Sequence, residues 1–140
     1  MELFRSFQIS GSALTAEKLR IDVVAGNLAN MQTTRTAAGG PYRRKTVVFS
    51  ARLARAAKQA PPAFRGRGVQ VTALVEDPNP PRREYDPEHP DADEQGFVAY
   101  PNIDLAKEMT DLITASRAYE ANTTAVNTAK SLYLKALEIG

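Results

Sequence analysis

The sequence contains no cysteine and no tryptophan, and it has a single histidine. Without a thiol the chain has no disulfide, no cysteine-type zinc site and no thiolate nucleophile, and one histidine cannot build a multi-histidine metal site. Long apolar runs are missing too. The first residues carry an acid at Glu2, which is untypical of a secretory signal peptide, and no segment reaches the length of a transmembrane helix. We therefore expect neither a cleaved leader nor a membrane-embedded chain.

The composition is otherwise that of a folded protein. Apolar residues make up 43% of the 140 positions and charged residues 24%, both close to globular averages. A chain of this length accommodates one modest core, or a small domain with long helical extensions. The nine prolines and eight glycines indicate irregular stretches between ordered segments.

The first region, residues 3–31, has the pattern of an amphipathic helix. Apolar side chains recur at every seventh position, and this seam consists of Phe7, Leu14, Ile21 and Leu28. Gly11 and Gly26 each weaken a helix by roughly 1 kcal/mol relative to alanine. We therefore expect this helix to depend on a partner that covers its apolar face.

The last region, residues 102–139, contains neither proline nor glycine and predicts a second, longer helix. Its seven-residue seam consists of Leu105, Leu112, Tyr119, Val126 and Tyr133. Another seam carries small residues with one asparagine, namely Ala115, Asn122, Ala129 and Ala136. Small side chains permit close backbone approach, so we expect the two terminal helices to pair lengthwise. The periodicity alone fits an ordinary helical bundle equally well.

The middle of the chain predicts short strands. Residues 46–49 and 68–75 are rich in β-branched and apolar side chains and are separated by Pro61 and Pro62. Residues 51–60 are an alternative short helix, because alanine, arginine, leucine and lysine dominate them. The predicted fold class is mainly α, with long N- and C-terminal helices paired as a coiled-coil-like bundle and a small irregular β-containing insert. The helical unit comprises residues 1–31 and 102–140, and the insert residues 32–101.

Two patterns that imitate functional sites carry little weight. Residues 91–96 resemble the start of a calcium loop, but the twelfth position is Asn102, which cannot supply the bidentate carboxylate that such a loop needs. His89 has no distinctive serine or cysteine partner for general-base chemistry. We therefore assign no catalytic residue, no metal ligand and no cofactor.

A set of short motifs occurs in order along nearly the whole chain: SGSAL at 10–14, NLAN at 27–30, TT at 33–34, GPYRRK at 40–45, VEDP at 75–78, YDPEHPDAD at 85–93, GFVAYPN at 96–102 and SRAYEAN at 116–122. Together these motifs resemble the rod and hook axial proteins of the bacterial flagellum, and most closely the proximal-rod members. A single motif of four residues arises often by chance, whereas this ordered series is specific. The family motif positions of interest are Asn27, Asn30, Thr34, Tyr42, Arg43 and Arg44.

The resemblance implies a structural subunit of the proximal rod, which polymerises into the axial tube that links motor and hook. It implies export by the flagellar type III apparatus without a cleaved signal, and a place in the periplasmic rod of the basal body. The implied partners are other rod proteins, copies of this chain, the export apparatus and ring proteins of the basal body. Nucleic acid is not among them.

The charges of the central region are segregated. Residues 23–75 hold nine lysines and arginines and no acid, whereas residues 76–111 hold eleven acids and three bases. We hypothesise that the basic stretch of one subunit contacts the acidic stretch of the next, through Arg43, Arg44, Lys45, Arg65 and Arg67 on one side and Asp86, Glu88, Asp91, Asp93 and Glu94 on the other. The alternative is that these charges pair within one chain or are simply solvated.

Two other classes of function fit parts of the sequence. Clustered lysine and arginine attract polyanions such as nucleic acid or peptidoglycan. However, the following acidic block cancels this field at longer range, and no nucleic-acid-binding motif occurs. The heptads alone also fit a helical adaptor or export chaperone that binds a partner helix in a groove.

Overall fold

The structure, a computed structural model, describes residues 2–53 and 66–139. Along the sequence, two long helices flank four strands, which form two small sheets. The elements follow in the order α1 (Glu2–Ala29), β1 (Lys45–Leu53), β2 (Gly66–Glu76), β3 (Arg82–Tyr85), β4 (Phe97–Tyr100) and α2 (Leu105–Ile139). The predicted fold class is confirmed. Neither α1 nor α2 combines the length and hydropathy needed to cross a membrane.

Polar side chains set the helix boundaries. Asp104 caps α2, because its Oδ1 accepts hydrogen bonds from the backbone N–H groups of Ala106 (2.9 Å) and Lys107 (3.3 Å). The helix therefore begins at Leu105 rather than at residue 102. At the end of α1, the Asn30 side chain donates to the carbonyl of Gly26 (2.9 Å), and the helix stops at Ala29 rather than at residue 31.

The two helices pair lengthwise, as expected, and the structure shows that they are antiparallel. The Phe4 ring lies edge-on to that of Tyr133 with centroids 5.9 Å apart. At the other end of α1, Asn27 contacts Glu108 at the start of α2. The buried residues of α2 are Glu108, Ala115 and Ala129. Small side chains on this seam let the helix backbones approach closely.

Strands β1 and β2 form an antiparallel ribbon in which Lys45 lies opposite Glu76 and Leu53 opposite Gly66. Both predicted strands are confirmed as parts of these longer ones. The alternative helix for residues 51–60 is wrong for residues 51–53, because they pair with β2 and so have their backbone hydrogen bonds across the ribbon. Residues 54–60 lie outside the described part of the chain.

The ribbon runs along α1. The Ser12 hydroxyl accepts a hydrogen bond from the Val69 N–H (3.0 Å), and Arg5 donates to the carbonyl of Gly66 (3.2 Å). Gly68 allows this approach, because it has a φ of 108° and a Cβ added there would lie 2.0 Å from the Ser12 Oγ. These contacts attach the start of β2, the end of the ribbon where Leu53 pairs with Gly66, to α1.

Strands β3 and β4 form a second antiparallel pair, in which Tyr85 lies opposite Phe97 with their rings edge-to-face and centroids 5.3 Å apart. Val98 is fully buried. The intervening loop is ordered by Asp93, whose side chain accepts from the N–H groups of Gln95 and Phe97, each at 2.9 Å. Buried Pro101 then leads from β4 towards α2.

Candidate assembly junction

Asn27 is the central residue of a polar cluster where the helix pair meets the insert. It is fully buried, in the last turns of α1. Its amide donates to the Lys45 carbonyl (2.9 Å) and to Glu108 Oε2 (3.0 Å), while its oxygen accepts from the Lys45 N–H (2.9 Å) and the Tyr42 hydroxyl (3.2 Å). An asparagine side chain has two donor hydrogens and two acceptor lone pairs. All four are therefore used.

The two bonds to Lys45 have a simple geometric meaning. A side-chain amide that binds both the N–H and the carbonyl of one residue occupies the place of a neighbouring strand. Lys45 is also the first residue of β1. Asn27 thus attaches the start of the ribbon to α1, which sets where the insert leaves the helix pair.

Glu108 is the residue that α2 contributes to the polar cluster around Asn27. This carboxylate is completely buried, with one oxygen bound to Asn27 and the other to the Arg44 Nε. The Arg44 guanidinium also donates to the Thr46 hydroxyl (2.8 Å) and lies 3.5 Å from Asp111. A buried charge is tolerated when it is paired and its remaining hydrogen-bonding positions are filled. These contacts satisfy both conditions.

Tyr42 closes the cluster from the linker between α1 and β1. Its hydroxyl donates to Asn27, and the Lys45 ammonium lies 5.8 Å from its ring centroid. Burial, together with the negative charges of Glu108 and Glu76, raises the pKa of Tyr42 above its usual value. The phenol therefore stays protonated and keeps donating well above neutral pH.

A second set of contacts docks the β3–β4 loop on the linker. The Thr34 hydroxyl donates to Asp91 (2.7 Å), and Arg35 forms an ion pair with the same carboxylate. The hydrogen bond from Thr34 is the largest of the effects that lower the pKa of Asp91, and Arg35 and His89 contribute further. The His89 ring in turn accepts from the Asp91 N–H (3.0 Å). His89 thus has a structural contact inside the loop.

The family motif residues lie at these contacts. Asn27, Tyr42 and Arg44 meet in the junction, Asn30 binds the end of α1, and Thr34 holds the β3–β4 loop. Arg43 is exposed and donates a hydrogen bond to the Asp77 carbonyl, at 3.4 Å.

Sequence reasoning missed Glu108, which is the α2 member of the junction. It lies seven residues before Ala115 and so continues the seam of small residues. A charged residue at a seam position, where the other residues are small, was the signal in the sequence that could have identified Glu108.

The residues of the charge hypothesis are placed as follows. Asp91 pairs with Arg35, Asp93 with Arg83, and Arg44 with Glu108, all within one chain. Backbone N–H groups of Phe97 and Gln95, together with Arg83, lower the pKa of Asp93. Arg67, Asp86 and Glu88 are exposed, and Arg65 lies outside the described residues. The contacts to a second subunit stay a prediction.

The heptad seams differ between the helices. In α1 the seam residues Phe7, Leu14, Ile21 and Leu28 are all half-buried. In α2, Leu112 and Val126 are half-buried, whereas Leu105, Tyr119 and Tyr133 remain 52%, 37% and 39% exposed. The seam of larger side chains in α2 is therefore covered less completely than the small-residue seam.

Two models of known families match the chain. The model described as "Flagella basal body rod protein" matches residues 7–35, and that described as "Flagellar basal body rod FlgEFG protein C-terminal" matches residues 94–139. Together they cover most of α1 and α2 and leave the ribbon unmatched.

The similar curated proteins extend over the whole chain. The flagellar basal-body rod protein FlgC of Borreliella burgdorferi is 44% identical, with 99% of this chain and 98% of that protein covered. FlgC of Bacillus subtilis is also 44% identical, over 100% and 99% respectively. FlgC of Escherichia coli O157:H7 is 43% identical over the same shares of the two chains.

Proposed function

The chain belongs to the FlgC family of flagellar basal-body rod proteins, and from this membership we propose how its residues serve the rod. It is a structural subunit of the proximal rod and not an enzyme. It assembles in the basal body with other rod proteins and with copies of itself. The observation that carries this function is the similarity to FlgC proteins along the entire chain.

We propose a division of labour between two units. The helical unit, residues 1–31 with 102–140, makes the lengthwise contacts between subunits, and the Asn27 junction and the contact between Ser12 and Val69 hold the insert, residues 32–101, against it. A helical tube needs a surface that meets a different surface of the next subunit without closing into a ring. A fixed arrangement of the two units supports this geometry, because every subunit then offers its surfaces in the same orientation.

The seam residues are the proposed contacts of the helical unit. Leu105, Tyr119 and Tyr133 leave considerable apolar surface exposed in the single chain. Exposed apolar side chains along one helix seam are typical of sites where another protein binds. We propose that neighbouring subunits cover it, together with the half-buried seam of α1.

The proposed route to the rod is export by the flagellar type III apparatus without a cleaved signal, followed by assembly in the periplasm. Gly11 and Gly26 weaken α1 as an isolated helix, so that it needs a partner to be stable. Such a helix is easier to export in an unfolded state. Folding of the helix ends would then be coupled to assembly. Ring proteins of the basal body are proposed further partners.

We propose that the charge contacts between subunits involve the exposed residues of the basic and acidic stretches. Arg43 and Arg67 on one subunit are the proposed partners of Asp86 and Glu88 on the next, since Arg44, Asp91 and Asp93 are engaged within the chain. Arg67→Glu should reduce swimming, and adding Glu88→Lys should restore part of it. No defect in the single variant, or no rescue in the double variant, would argue against this pair.

The function itself is tested in a deletion strain of the source bacterium. Purified hook and basal-body complexes are analysed by peptide mass spectrometry, with the deletion strain complemented by the wild-type gene as the control. We expect the chain in complexes from complemented cells and no complete rods in the deletion strain. A chain found only in the soluble fraction would favour the adaptor function instead.

A further inference from the structure

The most exposed aromatic side chain of the β3–β4 pair is Tyr85. It is 67% exposed, although its ring is held by an edge contact to Phe97 and by the turn at Gly96, where an added Cβ would lie 2.9 Å from the ring. Its neighbours Asp86 and Glu88 are exposed, and neither has a cation within ion-pair distance in the described part of the chain. Tyr85, Asp86 and Glu88, here called the Tyr85 patch, thus combine a fixed ring with two carboxylates that lack a cation.

The other two aromatic rings of the β3–β4 pair already have arginines next to them. The Arg83 guanidinium lies 4.8 Å from the centroid of the Phe97 ring, and that of Arg82 lies 5.8 Å from the centroid of the Tyr100 ring. A guanidinium within about 6 Å of an aromatic ring centroid is attracted by the negative face of the ring. Among the described residues, no cation stacks on Tyr85. The Tyr85 patch therefore has the chemistry to bind an arginine side chain from another molecule.

Two arginines lie side by side at the end of the β1–β2 ribbon. Arg52 and Arg67 are on neighbouring strands, in the irregular stretch next to the pair of Leu53 and Gly66. Both arginines are exposed, and no described carboxylate lies within ion-pair distance of either one. Like charges opposite each other destabilise a pair of strands. Arg52 and Arg67, here called the arginine pair, are therefore suited to bind carboxylates of another molecule.

The arginine pair and the Tyr85 patch of one chain cannot meet. The ribbon end is bound to Ser12 through Val69, whereas the β3–β4 loop is bound to Thr34, which lies beyond the end of α1. The helix from Ser12 to Ala29 is about 26 Å long, which is far beyond the reach of an arginine side chain. A contact between the two surfaces therefore requires two molecules.

We propose that the β1–β2 ribbon of one copy of this chain binds the Tyr85 patch of a second copy, with Arg67 over the ring of Tyr85. The carboxylates of Asp86 and Glu88 then pair with the two guanidinium groups. This inference rests on the proposed function, and it names the centre of the charge contact between subunits. Because the two surfaces differ, the contact is head-to-tail and repeats from copy to copy, as a helical tube requires.

A second copy is the occupant that the family matches favour. The arginine pair and the Tyr85 patch both lie in residues 36–93, which neither of the two family models matches. The regions that do match the rod-family models, residues 7–35 and 94–139, hold neither surface. Copies of this chain, by contrast, supply both sides of the contact.

Photo-crosslinking in assembled basal bodies tests the proposal. p-Benzoylphenylalanine replaces Tyr85 in a chain that is produced beside the wild-type chain, and in the control it replaces Glu84, which precedes Tyr85 in β3 and is exposed. Successive strand residues point to opposite faces, so only position 85 places the benzophenone at the patch. A link between two copies is recognised by the doubled mass of the product, and mass spectrometry identifies the linked peptides.

We expect position 85 to give a dimer whose linked peptide comes from the end of the β1–β2 ribbon, and position 84 to give none. A link to a different protein, a link to another segment of this chain, or no link in basal bodies that contain the labelled chain would overturn the proposal. Failure of the proposed function looks different, because the wild-type chain too would then be missing from basal bodies.

Arg67→Gln tests the role of the cation in the same experiment. It should lower the yield of the dimer from position 85 about two- to fivefold, the factor that corresponds to a cation–π contact of about 0.5–1 kcal/mol. Arg117→Gln on the exposed face of α2 is the control and should leave the yield unchanged. Equal dimer yields in the two variants would contradict the inference.

Discussion

The side-chain amide of Asn27 and the carboxylate of Glu108 meet at 3.0 Å in the interior, although 81 positions separate them in the sequence. This contact joins the C-terminal turns of α1 to the first turn of α2. Because Asn27 also binds Lys45 and Tyr42, the same residue connects the helix pair to the insert. The junction is consequently where a single substitution affects both units.

Removing the buried carboxylate should strongly destabilise the chain. Glu108→Ala leaves the Arg44 guanidinium, whose side chain is only 14% exposed, without its main partner. Breaking a buried pair in this way costs about 3–5 kcal/mol. The matched control is Glu120→Ala on the exposed face of α2, which should change stability by no more than about 0.5 kcal/mol. Urea unfolding followed by circular dichroism measures both, and similar values for the two variants would contradict the structural role of Glu108.

Asn27→Asp should make stability depend on pH. It places a second carboxylate beside Glu108, and two buried like charges raise the pKa of one of the groups. A raised pKa in the folded state means that stability is present at low pH and is lost as pH rises through that pKa. Thermal unfolding from acidic to neutral pH should therefore show a steeper decline than in the exposed control Asn127→Asp. Parallel curves for the two variants would show that residue 27 does not face a buried charge.

Gly68→Ala should loosen the ribbon from α1. The new Cβ would lie 2.0 Å from the Ser12 Oγ, and a φ of 108° is itself unfavourable for alanine. Gly66→Ala is the matched control, because an added Cβ there has no atom within 4 Å. Hydrogen exchange of the Val69 amide, which binds Ser12, should accelerate in the first variant only. Equal protection in both variants would mean that the ribbon does not depend on this close approach.

The docking of the β3–β4 loop should weaken in acid. The hydrogen bond from Thr34 and the charge of Arg35 lower the pKa of Asp91 below the ordinary 3.8. A carboxyl group whose pKa is lowered by folding stabilises the folded state at pH values above its ordinary pKa. This stabilisation is lost as the pH falls through the lowered pKa. Carbon NMR titration should give a midpoint below 3.8 in the wild type and a higher midpoint in Thr34→Val. The same midpoint in both proteins would contradict the role of Thr34. As a control, Asp91→Asn should abolish the response of the loop to acid.

Much of the architecture was predictable from local patterns. The seven-residue periodicity and the lack of glycine and proline predicted α2, and the β-branched runs predicted both strands of the ribbon. Helix ends were less predictable, because Asp104 and Asn30 terminate helices through side-chain hydrogen bonds that periodicity does not describe. The ordered motifs also led to the flagellar rod family, which the full-length relatives confirm.

The sequence by itself determined the two long helices and the strands of the β1–β2 ribbon, since these depend on periodic burial and on local backbone preference. Strands β3 and β4 were not predicted. Only the tertiary structure decided which charges are partners. The segregation of basic and acidic residues is equally compatible with contacts inside a chain and between chains. The antiparallel pairing of α1 and α2 brings Arg44 and Asn27 to Glu108, and the turn of the β3–β4 loop brings Asp91 to Arg35. Electrostatic partners depend on distances of a few ångströms, and these distances exist only after distant segments have packed.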